Sequence, residues 1–173
     1  MSVGNGSEMR IRISQLSNGI HEYRFTPEPS EIGLESNFGG SVAVDAVLDK
    51  TPRQIYLKAD VRTTGLFQCD RCLEEFELPI SGGFKTLYVY DELVAARDPG
   101  EDVQVITLDT VYLDLAEDVR QMVMLSVPLK LLCKTDCKGL CPHCGTDRNT
   151  KACSCKDEEI DARWEDLRKL IKN

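Results

Sequence analysis

Histidine is nearly absent from this chain: His21 and His143 are the only two imidazoles among 173 residues. General acid–base catalysis and open catalytic metal sites draw heavily on histidine, so hydrolytic chemistry has little to work with. Long apolar runs are missing too. No stretch approaches the roughly 20 apolar residues that span a bilayer, and Met1 to Glu8 is polar and rich in Gly and Ser, without the apolar region of a secretory leader. The expectation is a cytosolic protein with no membrane partner. Positive charge is also short: 21 Lys and Arg stand against 29 Asp and Glu, a formal net charge of −8. That argues against a general nucleic-acid coat, which needs a net basic surface, and suits a basic partner. With 42% hydrophobic residues, the chain is still long enough to build one ordinary domain around its own core.

Cysteine, by contrast, is plentiful and clustered. Six of the eight cysteines fall between Leu132 and Cys155, in L-C-K-T-D-C-K-G-L-C-P-H-C-G-T-D-R-N-T-K-A-C-S-C. Cys141 and Cys144 form a C-P-H-C-G unit whose spacing turns two thiolates onto one ion, while Gly145 permits a positive-φ step after the second sulfur. Cys133 with Cys137 is a second pair at ligand spacing, Cys153 with Cys155 a tighter third, and Cys69 with Cys72 in C-D-R-C a remote fourth. In a reducing cytosol these pairs read as metal ligands rather than disulfides. Four pairs are what two tetrahedral four-thiolate sites require, and such sites take zinc or an iron–sulfur cluster and little else. The expected sets are Cys69, Cys72, Cys133 and Cys137 for one zinc and Cys141, Cys144, Cys153 and Cys155 for the other, because Cys141 to Cys155 is compact enough to close on itself. Alternate residues of an extended chain face opposite ways, so Cys153 and Cys155 can share an ion only if the backbone turns there.

Lys130 to Lys156 carries six basic side chains against Asp136 and Asp147, a local excess of +4 that leaves −12 on the rest of the chain. Lys134, Lys138, Arg148 and Lys151 are the candidate phosphate contacts. A zinc with four thiolates carries −2, however, and removes much of that excess, so a plain solvated face is the simpler account.

The remainder reads as α+β. Met9 to Ile13 and Ile20 to Phe25 alternate around Ser17-Asn18-Gly19, a hairpin signal, and His21 in the second strand is given no role. Thr26 to Gly40 reads as an irregular connection. Ser41 to Asp49 and Gln54 to Thr64 predict antiparallel strands, with Val42, Val44, Ala46 and Leu48 on one face. Leu66 to Gln68 leads into the first cysteine pair, and Glu75 to Ile80 and Phe84 to Tyr90 lead away, broken by Ser81-Gly82-Gly83. Cys69 and Cys72 therefore sit at a strand end or hairpin tip. Asp91 to Asp102 reads as an acidic surface loop, and Val103 to Leu108 as another strand. Asp114 is expected to cap a helix with Glu117 completing a box, Leu115, Val119, Met122 and Val123 to form its core stripe, and Pro128 to stop it. Ile160, Trp164, Leu167 and Ile171 mark a final amphipathic helix after Asp157, Glu158 and Glu159. The expected fold is an antiparallel, partly barrel-like sheet of about five to seven strands with two packed helices and a cysteine-rich zinc-binding segment. In domain terms, 1–130 is the β-rich domain with one helix, 131–156 the zinc-knuckle segment packed on it, and 157–173 the C-terminal helix.

The elements C-D-R-C-L-E-E-F, V-P-L-K-L-L-C, D-C-K-G-L-C-P-H-C-G-T-D-R-N, C-S-C and D-A-R-W-E-D-L together resemble the YceD family, the large ribosomal RNA subunit accumulation proteins. The likeness covers most of the chain and is weaker over the first forty or so residues. It implies a bacterial, cytoplasmic, non-enzymatic protein tied to accumulation of large-subunit ribosomal RNA, in a family whose genes often neighbour that of a small zinc-containing ribosomal protein. The function expected is a zinc-binding factor in large-subunit assembly, which docks a basic ribosomal or assembly protein, with contact to ribosomal RNA the lesser option and no small-molecule substrate. The alternative is a CxxC thiol–disulfide oxidoreductase or redox sensor, but a thioredoxin-like CxxC opens a helix in a βαβ unit, a context absent here.

Overall fold

In the computed structural model, residues 9–91 and 102–155 are described. Seven strands, β1 (Arg10–Arg12), β2 (Gly19–Phe25), β3 (Phe38–Lys50), β4 (Gln54–Gln68), β5 (Glu75–Val89), β6 (Asp102–Val105) and β7 (Tyr112–Asp114), accompany one α-helix, α1 (Ala116–Ser126). Alternation decides the central sheet. Val44, Ala46 and Leu48 of β3 stand opposite Val61, Ala59 and Leu57 of β4, and all six are essentially inaccessible to solvent. A one-residue slip would turn both sets outward, so burial fixes the register. The turn between them is tied by Thr51, whose backbone N–H and hydroxyl both donate to the Gln54 carbonyl.

The sheet runs β2-β3-β4-β5-β6, and β1 and β7 form a separate two-stranded ribbon. Several expectations are corrected here. The sheet does not close into a barrel, and it is not wholly antiparallel, because β6 runs parallel to β5. Met9 to Ile13 does not form a hairpin with Ile20 to Phe25. β2 is instead paired with β3 along its whole length, while β1 pairs with the remote β7, bringing Ile11 opposite Leu113. Lys50 Nζ holds the chain between them, donating to the carbonyls of Ile13 and Leu16 at 2.7 and 2.8 Å. Within Thr26 to Gly40 a 3-10 turn forms at Pro29–Ile32.

Ser81-Gly82-Gly83 does not break β5, which is continuous from Glu75 to Val89. A Cβ on Gly82 would lie 2.4 Å from Ser126 Oγ and 2.8 Å from Met122 Sδ, so the glycine lets α1 rest directly on the strand. The helix buries Val119 and Val123, with Leu115 just before its first turn. Its capping differs from the expected box. Asp114 ends β7, and its carboxylate accepts the Ala116 N–H at 3.1 Å and pairs with Arg10 at 2.9 Å. Glu117 turns along the helix to Arg120 and Gln121 instead. Of the two packed helices expected, α1 is the only α-helix among the described residues. The helix expected over 157–173 and the acidic loop apart from Asp91 and Asp102 lie outside them.

Candidate metal centre

The β4–β5 hairpin extends past β3 and ends in a tip, Cys69 to Glu74, that closes after the Gln68–Glu75 pair. The tip is a knuckle made by backbone geometry. Cys69 N–H donates to the Glu74 carbonyl and Leu73 N–H to the Cys69 carbonyl, both at 2.9 Å, while Leu73 adopts φ 60°. The second knuckle repeats this bond for bond. Cys141 N–H donates to the Thr146 carbonyl and Gly145 N–H to the Cys141 carbonyl, again at 2.9 Å, with φ 70° at Gly145. Both sulfurs of each CxxC are thereby turned to one side.

Each knuckle meets a second pair. The sulfurs of Cys69, Cys72, Cys133 and Cys137 all lie within 4.8 Å of one another, and so do those of Cys141, Cys144, Cys153 and Cys155. Cys69 and Cys137 are 3.8 Å apart, Cys72 and Cys133 3.6 Å, and Cys141 and Cys153 3.4 Å. These are not disulfides, and all eight are free thiols. A tetrahedron with zinc–sulfur bonds of about 2.3 Å has edges of about 3.8 Å, so the donor sets fit such an ion in number, type and spacing. Cys153 and Cys155 lie outside any strand, which lets both sulfurs turn inward despite their spacing.

Protonation is unevenly shared within each set. Burial pushes the Cys69 thiol up, but the backbone N–H groups of Cys133, Arg71 and Cys72 outweigh it and bring it down to about 6. Burial and then the neighbouring sulfurs push Cys133 up to about 12. In the second set the Thr146 hydroxyl and N–H bring Cys144 down to about 6, and the hydrogen bond with Cys144, then burial, pushes Cys155 up to about 12. Four sulfurs this close cannot all ionise against one another, whereas a divalent cation between them removes that conflict.

The first set is the drier one. Cys69, Cys72 and Cys137 are buried, against Cys141 alone in the second, and Phe76, Leu132 and Leu140 pack on the first set. Residues outside the two sulfur sets hold the pairs together. The Asp70 carboxylate accepts the Leu131 N–H at 2.7 Å, and the Asp70 N–H donates to the Leu131 carbonyl at 2.8 Å, which docks the chain leaving α1 beside the tip. Arg71 donates from Nη1 to the Cys137 carbonyl at 2.7 Å and accepts the Leu140 N–H at 2.9 Å. Asn149 donates to Cys137 Sγ at 3.4 Å. Sequence reading missed this role for Asp70, Arg71 and Asn149. Asp70 and Arg71 lay in plain view inside C-D-R-C, but nothing local marks Asn149.

Lys134, Lys138, Arg148 and Lys151 are all exposed, and none forms a salt bridge among the described residues. Lys134 is close enough to help hold Asp147 below the usual carboxylate range, after the larger effect of the Asn149 N–H. Lys138 and Arg148 are pinned by their backbones, to Asn149 Oδ1 and the Gly139 carbonyl. His21 Nε2 lies 2.9 Å from the Ser17 carbonyl oxygen, a local turn contact. No helix among the described residues is long and apolar enough to cross a membrane.

A family model described as large ribosomal RNA subunit accumulation protein YceD matches residues 57–171. An uncharacterised protein of Mycobacterium tuberculosis is 25% identical over a match that covers 83% of this chain and 70% of that protein. A Bacillus subtilis protein, YlbN, also uncharacterised, is 25% identical, with 76% and 74% covered. The large ribosomal RNA subunit accumulation protein YCED homolog 1 of Arabidopsis thaliana, described as chloroplastic, is 24% identical over 75% of this chain and 47% of its own length. No solved structure matches the chain.

Proposed function

The chain belongs to the YceD family, and on that premise we propose that it is a non-enzymatic, zinc-binding factor that supports accumulation of large-subunit ribosomal RNA by docking a basic ribosomal or assembly protein. The observation that carries the metal half is the convergence of eight free thiols into two sets of four. Four-sulfur sets suit zinc and leave it no open position, so bound zinc contributes structure rather than reactivity. Cys69 to Leu73 and Cys141 to Gly145 provide the two knuckles, Asp70 and Arg71 bring Cys133 and Cys137 to the first, and the loop from Thr146 to Cys155 folds over the second.

Charge supports the docking half. With −12 outside the Lys130 to Lys156 segment, the body favours a basic protein over bare RNA, and at a Debye length of about 8 Å this acts on groups already near contact. Free thiols and the absence of a spanning helix among the described residues agree with a reducing cytoplasm. A dithiol redox role has less support: at the first knuckle an exchanging thiol must be reached and Cys69 is wholly buried, and at the second, where Cys144 is exposed, the CxxC lies in a loop rather than at the start of a helix.

Two measurements test the proposal. Thiol labelling of native protein with and without a chelator should show few reactive cysteines until metal is removed, and elemental analysis should find close to two zinc ions. Mass spectrometry of material retained by the tagged protein should then find large-subunit precursors through a basic protein. Tight binding to isolated ribosomal RNA with a steep salt dependence would instead make Lys134, Lys138, Arg148 and Lys151 the contact and overturn the docking account.

A further inference from the structure

We infer that the two sulfur clusters load metal as one coupled unit, and that Asn149 is the positioning residue that couples them. This rests on the metal reading proposed above. Asn149 stands in the loop that Cys144 and Cys153 close, so by chain position it belongs to the second cluster. Its amide nevertheless serves the first, with Nδ2 3.4 Å from Cys137 Sγ. The orientation of that amide is settled by its other bonds. Oδ1 accepts the Lys138 N–H at 2.8 Å, one residue past Cys137, so the opposite end must be the NH₂ group. Nδ2 also donates to Asp147 Oδ1 at 2.7 Å, and the same carboxylate oxygen accepts the Asn149 N–H at 2.9 Å. Both ends of the side chain are therefore held, and with the amide in place Cys137 is only 2% exposed.

The backbone joins the clusters along the same line. Cys137 leads through Gly139 and Leu140 to Cys141, and the returning strand of the second knuckle pairs back on it, Arg148 N–H donating to the Gly139 carbonyl at 3.0 Å. An ion in the second set orders the loop from Thr146 to Cys153, which places the Asn149 donor before the first set closes. An ion in the first set, by holding Cys137, favours the same loop conformation. Coupling between two binding sites is reciprocal by thermodynamic necessity. Hydrogen-bond partners behind a metal ligand typically change affinity by about 10–100-fold when removed.

The test uses the full chain, metal-depleted and reduced, titrated with Co(II) against a competing chelator while sulfur-to-cobalt charge transfer is recorded. A Cys133→Ser variant supplies the spectrum of the second site alone. Wild type should take up two ions. Asn149→Ala should also take up two, with the first site weakened by about 10–100-fold and its charge-transfer band moved to lower energy, because a thiolate that loses a hydrogen bond is a better electron donor. Disabling the second site with Cys144→Ser and Cys155→Ser should weaken the first site as well, and Asn149→Ala should then add much less than it does in the intact chain. Asn149→Asp, nearly isosteric, turns a carboxylate toward the Cys137 sulfur and should weaken the first site more than alanine does, which keeps the test open if alanine loosens the loop. Unchanged first-site affinity with an unmoved band in both Asn149 variants, or full additivity with the second-site variant, overturns the coupling while leaving the two-metal reading intact. A chain that takes up no Co(II) overturns both.

Discussion

Gly139 and Gly145 share the same positive φ and differ in what surrounds them, which makes alanine at each a matched pair of perturbations. Their φ angles are 69° and 70°. A Cβ at Gly145 meets nothing within 4 Å, whereas one at Gly139 falls 2.9 Å from the Arg71 carbonyl oxygen and 3.2 Å from Arg71 Cβ. A left-handed conformation costs an L-residue about 1–2 kcal/mol, and the reduced freedom of the unfolded chain returns about 0.4–1 kcal/mol. Gly145→Ala should therefore destabilise the protein by about 1 kcal/mol. Leu73, at φ 60° in the equivalent place of the first knuckle, is the natural precedent that this much strain is tolerated.

At Gly139 the obstacle is backbone, so the Arg71 peptide must move. That carbonyl accepts the Leu140 N–H, and the same residue's guanidinium holds the Cys137 carbonyl. At about 0.5–1.5 kcal/mol for each bond, their loss raises the expected cost of Gly139→Ala to about 2–4 kcal/mol. Displacing Arg71 also separates Cys72 from Cys137, so metal in the first cluster should be lost at lower chelator concentration while the second is less affected. Urea unfolding of the metal-loaded proteins gives the stabilities, and chelator competition gives the two affinities. Equal destabilisation of the two variants, or equal loss of metal from both clusters, would refute the collision and leave only the shared φ as the cause.

Three further outcomes follow from other parts of the fold. Gly82→Ala should lift α1 from β5 and cost about 1–3 kcal/mol by overpacking, and adding Ser126→Gly should recover part of that loss; strictly additive melting data would exclude direct contact between the two positions. Burial, with the negative charge of Asp118 beside it, holds Tyr88 up at about 12 against an ordinary 10.0. The folded state then keeps its proton longer than the unfolded one, so this share of stability is whole below the ordinary value and falls as pH rises toward about 12; Tyr88→Phe should flatten that alkaline decline in urea melts, and an unchanged slope would sink the assignment. Asp70→Ala deprives the Leu131 N–H of its acceptor and should cost about 1 kcal/mol, with faster hydrogen exchange at Leu131 and metal retention weakened more in the first cluster than in the second.

Local chemistry was legible in the residues themselves. A CxxC followed by glycine needs only a few neighbouring peptides to form a knuckle, so the one at Cys141 could be read directly, whereas the φ of 60° at Leu73 could not; the two groups of cysteines were legible too, since Cys141 to Cys155 closes over a short chain. The faces of β3 and β4 were equally plain, because alternation sorts Val42 to Leu48 without reference to any partner, and the stripe from Leu115 to Val123 marked a helix by its period. Pairings that depend on a third element were not. Whether β1 joins β2 or β7 turns on Lys50 reaching the Ile13 and Leu16 carbonyls and on β3 taking β2, and no pattern within Met9 to Phe25 contains that competition. Ser81-Gly82-Gly83 looks like a break in any window along the strand; only α1 lying across it reveals the glycine as room for Ser126 and Met122. The same holds at the metal centre. Cysteine announces itself by type and spacing, but Asn149 acquires its bond to Cys137 only when two segments that the chain separates are folded against each other, and that choice belongs to tertiary structure.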